Sequence, residues 1–400
     1  MGLNDTPSSE RVHIGIFGRI NAGKSSLINA ITGQKLAIVN SAAGTTTDPV
    51  YKAMELLPLG PVMLIDTPGI NDEGELGELR VKASYRVLNK CDMALLVVDA
   101  ASGLTSEDER LLGTIKAKKI PYILVYNKAD LLKAEFSEDD NTAYVSAETG
   151  MGINALKEKM ARKAAVEEPE KRIAADLVDS GDTAVLVVPI DSAAPKGRLI
   201  LPQQQTIRDL LDADAFAMVV KDTGLKDALC ALNKKPKIVI TDSQAFAKVS
   251  RDTPEDVPLT SFSILFARYK GDLPENVRAA AAIDKLKDGD TVLISEGCTH
   301  HRQCDDIGTV KLPRWLKEYT KKDIKFEFTS GGEFPIDLSP YNVIIHCGGC
   351  MLNEREMKYR ISCAKDSGVP IVNYGIAIAH MKGILERSLR PFPDIHKLLS

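Results

Sequence analysis

A chain of 400 residues has room for roughly two or three domains, each burying its own core. Hydrophobic residues make up 44% and charged residues 26%, an ordinary globular balance, and a net charge of -4 leaves no overall basic footprint for nucleic acid or an anionic membrane. No apolar run reaches the length of a membrane span, the start Met1–Glu10 is polar rather than a signal peptide, and seven cysteines point to a reducing, cytoplasmic setting and to metal rather than disulfides.

The first informative stretch is Gly18-Arg19-Ile20-Asn21-Ala22-Gly23-Lys24-Ser25, between the apolar run His13–Phe17 and a helical pattern that begins at Ser26. Strand, glycine loop and helix in that order make a G-x-x-x-x-G-K-[ST] match a phosphate-binding loop. Free N–H groups at a helix N-terminus meet dense negative charge with a positive field. Gly18 and Gly23 let the backbone wrap closely, with Ala22 and Ser26 expected beside the phosphates. Lys24 is expected to reach the β- and γ-phosphates, and the Ser25 hydroxyl to bind Mg²⁺.

Next comes the polar loop Gly44-Thr45-Thr46-Thr47-Asp48, where the hydroxyl expected at Thr46 completes the Mg²⁺ shell only while a γ-phosphate is present. The apolar strand Val62–Ile65 then ends in Asp66-Thr67-Pro68-Gly69. Asp66 is placed as the second-motif carboxylate for Mg²⁺, and the Gly69 N–H as a γ-phosphate contact. Lys24, Asn21, Thr46 and Gly69 are therefore the expected catalytic group. The strand Met93–Asp99 and a helix through Glu107–Lys116 lead to Tyr122–Tyr126 and Asn127-Lys128-Ala129-Asp130. A carboxylate at Asp130 accepts from guanine N1–H and its exocyclic amine, which adenine does not offer. Asn127 is expected on the other ring edge, and the Lys128 stem over the base. Ser146-Ala147-Glu148 follows a further strand, with backbone expected near the guanine oxygen.

Each motif stands at the C-terminal end of a predicted strand, where open α/β sheets bind ligands. Together they resemble the translation-factor class of P-loop GTPases over residues 9 to about 165, which implies GTP and GDP as ligands. Two positions refine this. Ile70 stands where small Ras-like GTPases carry a water-orienting glutamine, so hydrolysis is expected to be slow or served by another group. Asn21 resembles the asparagine that binds K⁺ in tRNA-modification and ribosome-assembly GTPases, and it reads equally well as a cap of the loop.

Beyond a charged stretch with Glu167-Glu168-Pro169 as hinge, strand-like runs at 184–189, 215–220 and 237–241 alternate with helical patterns. This predicts a small parallel α/β sheet with a scaffold or oligomerisation role and no catalytic constellation. From about Gly271 the character changes. The strand at Val292–Gly297 delivers Cys298-Thr299-His300, and Val343–Ile345 delivers His346-Cys347-Gly348-Gly349-Cys350. Cys347 and Cys350 are spaced to hold one metal centre, with Cys298 and a histidine joining from another strand end. On ligand count zinc and an Fe–S cluster suit equally. Cys304, His301 and His380 are spare candidates, while Cys91, Cys230 and Cys363 read as packing residues.

C-x-H, a gap of 45 residues and H-C-x-x-C, behind such a GTPase segment, resembles the HydF family of [FeFe]-hydrogenase maturation GTPases along the whole chain. The resemblance implies a [4Fe-4S] cluster on Cys298, Cys347 and Cys350, with His346 or His300 as candidate fourth ligand. It also implies receipt of a two-iron H-cluster precursor from two radical-SAM maturases and its delivery to apo-[FeFe]-hydrogenase, by a homodimer or higher oligomer, without nucleic acid or membrane. The competing reading is a ribosome- or tRNA-maturation GTPase with a C-terminal zinc domain. A GTP-regulated metabolic enzyme lacks an acid/base or nucleophile set. The expected organisation is α/β throughout: a P-loop GTPase domain at 9–168, then two smaller, mainly parallel α/β domains, one for dimerisation at 177–266 and one for the cluster at 271–400.

Overall fold

The computed structural model describes residues 6–33, 49–69, 84–132, 139–164, 171–190, 199–297, 306–335 and 337–399. The chain folds as two compact units, Met1–Glu168 and Pro169–Ser400. The first carries β1 (Val12–Phe17), β2 (Val50–Leu56), β3 (Gly60–Asp66), β4 (Met93–Asp99), β5 (Tyr122–Asn127) and β6 (Thr142–Tyr144). They form one sheet in the order β2-β3-β1-β4-β5-β6, parallel except for β2, which runs antiparallel to β3. Strand order reverses at β1, with β3 on one side and β4 on the other, the kind of switch point at whose C-terminal strand ends open α/β sheets take ligands.

Alternation along the strands explains the layers. Ile14 and Ile16 of β1 pack with Leu27, Ile28 and Ile31 of the helix Lys24–Thr32, and with Leu156 and Met160 of the helix Ile153–Ala164. Phe17 points to the other face, with Val87, Leu88, Leu96, Leu111 and Ile115. Both faces are covered, which is why these strands read as unbroken apolar runs.

The second unit holds two four-stranded parallel sheets. One contains β7 (Thr183–Val187), β8 (Phe216–Val220), β9 (Ile238–Thr241) and β10 (Leu259–Ser261), in the order β10-β9-β7-β8. The other contains β11 (Thr291–Ser295), β12 (Lys325–Thr329), β13 (Val343–His346) and β14 (Ile371–Asn373), in the order β12-β11-β13-β14. One apolar core runs through both, from Val185 and Ile240 through Phe262 and Phe266 to Ile294, Ile345 and Phe392. A smaller cluster with Leu293, Ile344, Ile361 and Ile371 covers the opposite face of the β11–β14 sheet. The fold class is thus the α/β class expected, with a P-loop GTPase domain followed by further mainly parallel sheets. The expected change of character near residue 270 falls between the helices Phe262–Lys270 and Leu273–Ala280.

Candidate functional site

The phosphate-binding loop leaves β1 at the switch point and enters the helix at Lys24, with Gly23 left-handed at φ 89°. Its glycines are demanded by the protein itself, beyond any need of a phosphate. A Cβ at Gly18, where φ is 142°, would lie 2.2 Å from the Val97 carbonyl oxygen; one at Gly23 would lie 2.2 Å from the Asn127 amide nitrogen. Asn21, also left-handed at φ 66°, is exposed. Ala22 is buried, and Ser26 lies in the first turn of the helix.

Lys24 is buried, and its ammonium donates to the carbonyls of Gly18 and Arg19 at 2.9 Å each. Burial pulls it down to about 8, against the pull of the Asp66 carboxylate. Ser25 donates its hydroxyl to Asp66 Oδ2 at 3.1 Å. Asp66 Oδ1 is buried without a hydrogen-bond partner, and burial raises this carboxyl above its usual range despite Lys24 and Ser25. A hydroxyl and an orphaned carboxylate oxygen side by side are the donor set a magnesium ion takes. Thr67 locks the following turn to β1 by donating to the Ile16 carbonyl at 2.7 Å. A Cβ on Gly69 would strike Ile20 of the loop at 2.4 Å. Thr46 and Ile70 lie outside the described residues.

On the base side, the Asn127 amide is engaged at both ends. It donates to the Ala22 carbonyl at 3.1 Å and accepts from the Ala147 N–H at 3.0 Å, so it ties the phosphate loop to the Ser146-Ala147 turn. This bracing task is different from the ring-edge contact expected of it, and it also occupies the Ala147 N–H expected near the guanine oxygen. Ser146 is buried and its hydroxyl accepts from the Thr149 N–H at 3.1 Å. Lys128, left-handed at φ 61°, donates to Asp99 Oδ2 at 2.7 Å. That hydrogen bond holds the Asp99 carboxyl below its usual range. Asp130 is exposed at the mouth of this region. The sequence reading gave Thr67 and Asp99 no role. Asp99 had a signal: it ends an apolar strand as Asp66 does, in register with Asn127.

The cysteine region is built on β11 and β13, which pair in parallel with Ser295 opposite His346. Glu296-Gly297 therefore emerges beside Cys347, and the Gly297 N–H donates to Cys347 Sγ at 3.0 Å. Gly349 N–H lies 3.4 Å from the same sulfur. Burial pushes the Cys347 thiol up, opposed by these two N–H groups and by the Arg360 guanidinium. The Cys350 thiol is pushed up to about 11 by burial and the neighbouring Cys347, with Lys270 pulling the other way. Thiols that burial keeps protonated, yet that already accept N–H bonds beside cations, suit a metal that replaces their protons.

His346 is held at the end of β13. Its side chain is buried, with Nδ1 2.7 Å from the Cys347 carbonyl and Nε2 3.1 Å from Asn276 Oδ1. Burial lowers its pKa to about 4. A neutral imidazole has one N–H, so it donates to one of these two acceptor oxygens, and the buried ring stands as a strut at the sheet end. Cys298, His300, His301 and Cys304 lie outside the described residues, and among the described residues no three His, Cys, Asp or Glu side chains converge. His380 is taken up by Asp284, its Nε2 3.0 Å from both carboxylate oxygens. Of the cysteines expected to pack, Cys91 is buried and Cys363 partly so, but Cys230 is exposed.

Among the described residues no helix is long and apolar enough to cross a membrane. Residues 13–128 match the model of the 50S ribosome-binding GTPase family. GTPase Der of Wolinella succinogenes is 35% identical over 174 residues, 40% of this chain and 36% of that protein. The tRNA modification GTPase MnmE of Legionella pneumophila is 40% identical over 152 residues, 37% of this chain and 33% of that protein. The chain thus spans about a third of the length of these curated relatives. An Era protein of Aquifex aeolicus solved with GDP·AlF₄⁻ superposes with a TM-score of 0.35 at 20% identity, over 52% of this chain and 92% of that one. Residues 13–128 accordingly form a domain of the GTPase class. Residues 173–271 match the hydrogen maturase F dimerization domain and residues 274–391 its tetramerization domain, which supports oligomer formation. With these two matches end to end behind the GTPase segment, the chain belongs to the hydrogen maturase F (HydF) family.

Proposed function

We propose that the chain is a GTP-hydrolysing iron–sulfur scaffold that receives the two-iron H-cluster precursor and hands it to apo-[FeFe]-hydrogenase in the cytoplasm. The division of labour runs along the chain: GTPase at 9–168, dimerisation at 177–266, cluster binding at 271–400. The observation that supports the scaffold reading is the β11–β13 register, which sets Gly297, the residue before Cys298, beside Cys347. Cys298, Cys347 and Cys350 would hold a [4Fe-4S] cluster, which supplies an iron–sulfur surface on which the two-iron cargo rests. His346 or His300 would take the fourth position, and we favour His300 because the His346 ring is buried between Asn276 and the Cys347 carbonyl. The two radical-SAM maturases are the expected source of the cargo.

In the first unit, Lys24 exchanges its two loop carbonyls for the β- and γ-phosphates, and Gly69 N–H meets the γ-phosphate. Ser25 and Asp66, with Thr46, would hold Mg²⁺, which neutralises phosphate charge. The exposed Asp130 carboxylate reads the guanine edge. Asn21, exposed on the loop, would hold K⁺, a fixed positive charge beside the transferring phosphoryl group. A homodimer is supported by the edge strand β8 and its surroundings, where Phe216 is 63% exposed, Leu211 55% and Val219 42%. The ribosome- or tRNA-maturation alternative has only the GTPase segment in its favour, and the matches over 173–391 weigh against it.

The test is anaerobic purification of the wild type and of Cys298→Ser, Cys347→Ser and Cys350→Ser, with iron, sulfide and GTP hydrolysis measured in K⁺ and in Na⁺ at matched ionic strength. The reading expects iron in the wild type, most of it lost in each variant, hydrolysis retained, and a faster rate in K⁺. Full iron in the serine variants would remove the cysteines from the site, and equal rates in both salts would leave Asn21 a structural role only.

A further inference from the structure

Asp108 is a carboxylate that none of the nucleotide motifs contains. It lies in the first turn of the helix Ser106–Ala117, yet it is only 3% exposed. An aspartate at a helix start ordinarily meets water; this one faces inward. Part of its task is local. Asp108 Oδ2 accepts from the Thr105 N–H at 3.2 Å and from the Thr105 hydroxyl at 2.8 Å, which closes the helix on its cap residue. Those two bonds leave its charge without an opposite one, and a buried charge is costly in that state. The cation that meets it comes from the phosphate loop. Arg19, second residue of that loop, places its Nε 3.8 Å from the same Asp108 oxygen, with the two side chains 37% and 4% exposed.

Arg19 stands where the loop's shape is decided. Its backbone carbonyl takes the Lys24 ammonium at 2.9 Å. The next residue, Ile20, lies so close to the Gly69 turn that a Cβ at Gly69 would sit 2.9 Å from the Ile20 nitrogen. Gly18 and Gly23 bring no side chain with which to hold the loop, and Asn21 is exposed. We propose that Asp108 is a positioning residue of the phosphate loop: through Arg19 it fixes the loop in the shape that receives the phosphates. This rests on the reading of the first unit as a guanine-nucleotide site. Asp108 and Arg19 together add no net charge to a site that must attract phosphate. A loop ordered before the nucleotide arrives lowers the ordering cost of binding, so the pair acts on affinity and leaves the chemical step to Lys24, Gly69 and the metal.

The experiment compares the full-length wild type with Arg19→Gln, Arg19→Lys, Asp108→Asn and the double variant Arg19→Gln/Asp108→Asn. Affinities for GDP and for a non-hydrolysable GTP analogue are titrated with Mg²⁺ present. Hydrolysis is followed at limiting and at saturating GTP, and stability by denaturant unfolding without nucleotide. Asparagine at 108 keeps an acceptor for Thr105, so the helix start survives while the charge goes. Each neutral single variant is expected to bind both nucleotides about three- to tenfold more weakly, with kcat/KM lowered by the same factor and kcat within about twofold of wild type. One contact serves both residues, so the double variant should lose no more than the more affected single variant. Arg19→Lys keeps the charge and should keep most of the affinity. Losses that multiply in the double variant would overturn the proposal, as would wild-type affinity in Arg19→Gln. A fall in stability and kcat with affinity unchanged would also overturn it, since the pair would then be structural only. If Asp108→Asn does not fold, the two Arg19 variants decide: a loss in Gln alone supports the pairing, and an equal loss in both overturns it. A wild type that binds no guanine nucleotide would instead sink the nucleotide-site reading on which the proposal stands.

Discussion

At the end of β1 the chain turns backbone N–H groups, a helix N-terminus and a buried lysine toward an anion. At the end of β13 it sets two cysteine thiols close together, the donor type that soft metals take. Both places use the same geometric opportunity, the C-terminal edge of a parallel sheet where strands stop and loops begin. They differ in what holds them ready. The first is braced by its own side chains: Lys24 on Gly18 and Arg19, Asn127 on Ala22 and Ala147, Lys128 on Asp99. The second keeps its thiols protonated by burial while N–H groups and cations stand around them. A site for an exchangeable nucleotide is built to be complete without it; a thiol site is completed by the metal that displaces its protons.

The largest effect should come from breaking the anion side at Lys24. Lys24→Ala is expected to lower the hydrolysis rate by about 10²–10³-fold, because a preorganised donor at developing phosphate charge is removed. Burial holds the Lys24 pKa to about 8 instead of 10.5, and the sign of its pH dependence follows. Between those two values the unfolded chain keeps a proton that the folded chain has lost, so this group's contribution to stability grows as pH rises across the window. Nucleotide binding runs the other way, since phosphate favours the ammonium. GTP affinity should therefore fall as pH rises above about 8 in the wild type, and lose that dependence in Lys24→Ala. Titrations of a fluorescent GTP analogue from pH 7 to pH 9.5 would decide it, and a wild-type affinity flat over that range would contradict the buried-lysine account.

The next cut sharpens the cation side by separating ligands from struts. His346→Asn should leave iron content and the paramagnetic signal as in the wild type, because the imidazole is buried between Asn276 and the Cys347 carbonyl. Its effect should appear in stability, about 1–3 kcal/mol for buried partners left unsatisfied. Denaturant unfolding of the metal-free protein measures that loss. A signal altered as strongly as in the cysteine variants would make His346 a ligand and erase the distinction.

The two regions also differ in how far they can be read from sequence. The nucleotide site is written in contiguous motifs, because one strand end, one turn and one helix start supply each part of it. What the motifs hide is the bracing between them: Asn127 meets Ala22 across 105 positions, and Thr67 meets Ile16 across 51. The thiols at Cys347 and Cys350 are legible from their spacing, and β11 and β13 from their apolar runs. Lys270 is not, since a lysine closing an apolar helix looks like any solvated end. Asn276, which engages His346, is equally silent, because a polar residue inside a helical pattern carries no mark of burial. Two strands escaped for a simpler reason. β12 is an edge strand whose Lys325-Phe326-Glu327-Phe328-Thr329 alternates instead of forming a run, and β10 has only three residues, between a proline-bearing turn and the helix Phe262–Lys270.

The smallest expected effect tests the bracing itself. Lys128 stands where its stem is expected to lie over the base, and its ammonium is steered by Asp99, with the two side chains 37% and 23% exposed. Asp99→Asn keeps an acceptor for that ammonium but removes the charge, so the hydrogen bond weakens without disappearing. For a partly exposed pair this is about 0.5–1 kcal/mol, or roughly a two- to five-fold loss of affinity. The base is common to both nucleotides, so the loss should be the same for GDP and for GTP. Hydrolysis of bound GTP should be unchanged, because Asp99 serves the base end, and the effect should shrink as added salt screens the pair. Isothermal titration with both nucleotides, at low and high salt, reads all of this at once. A defect confined to GTP, or one in the hydrolysis rate alone, would move Asp99 from the base side to the phosphate side of the site.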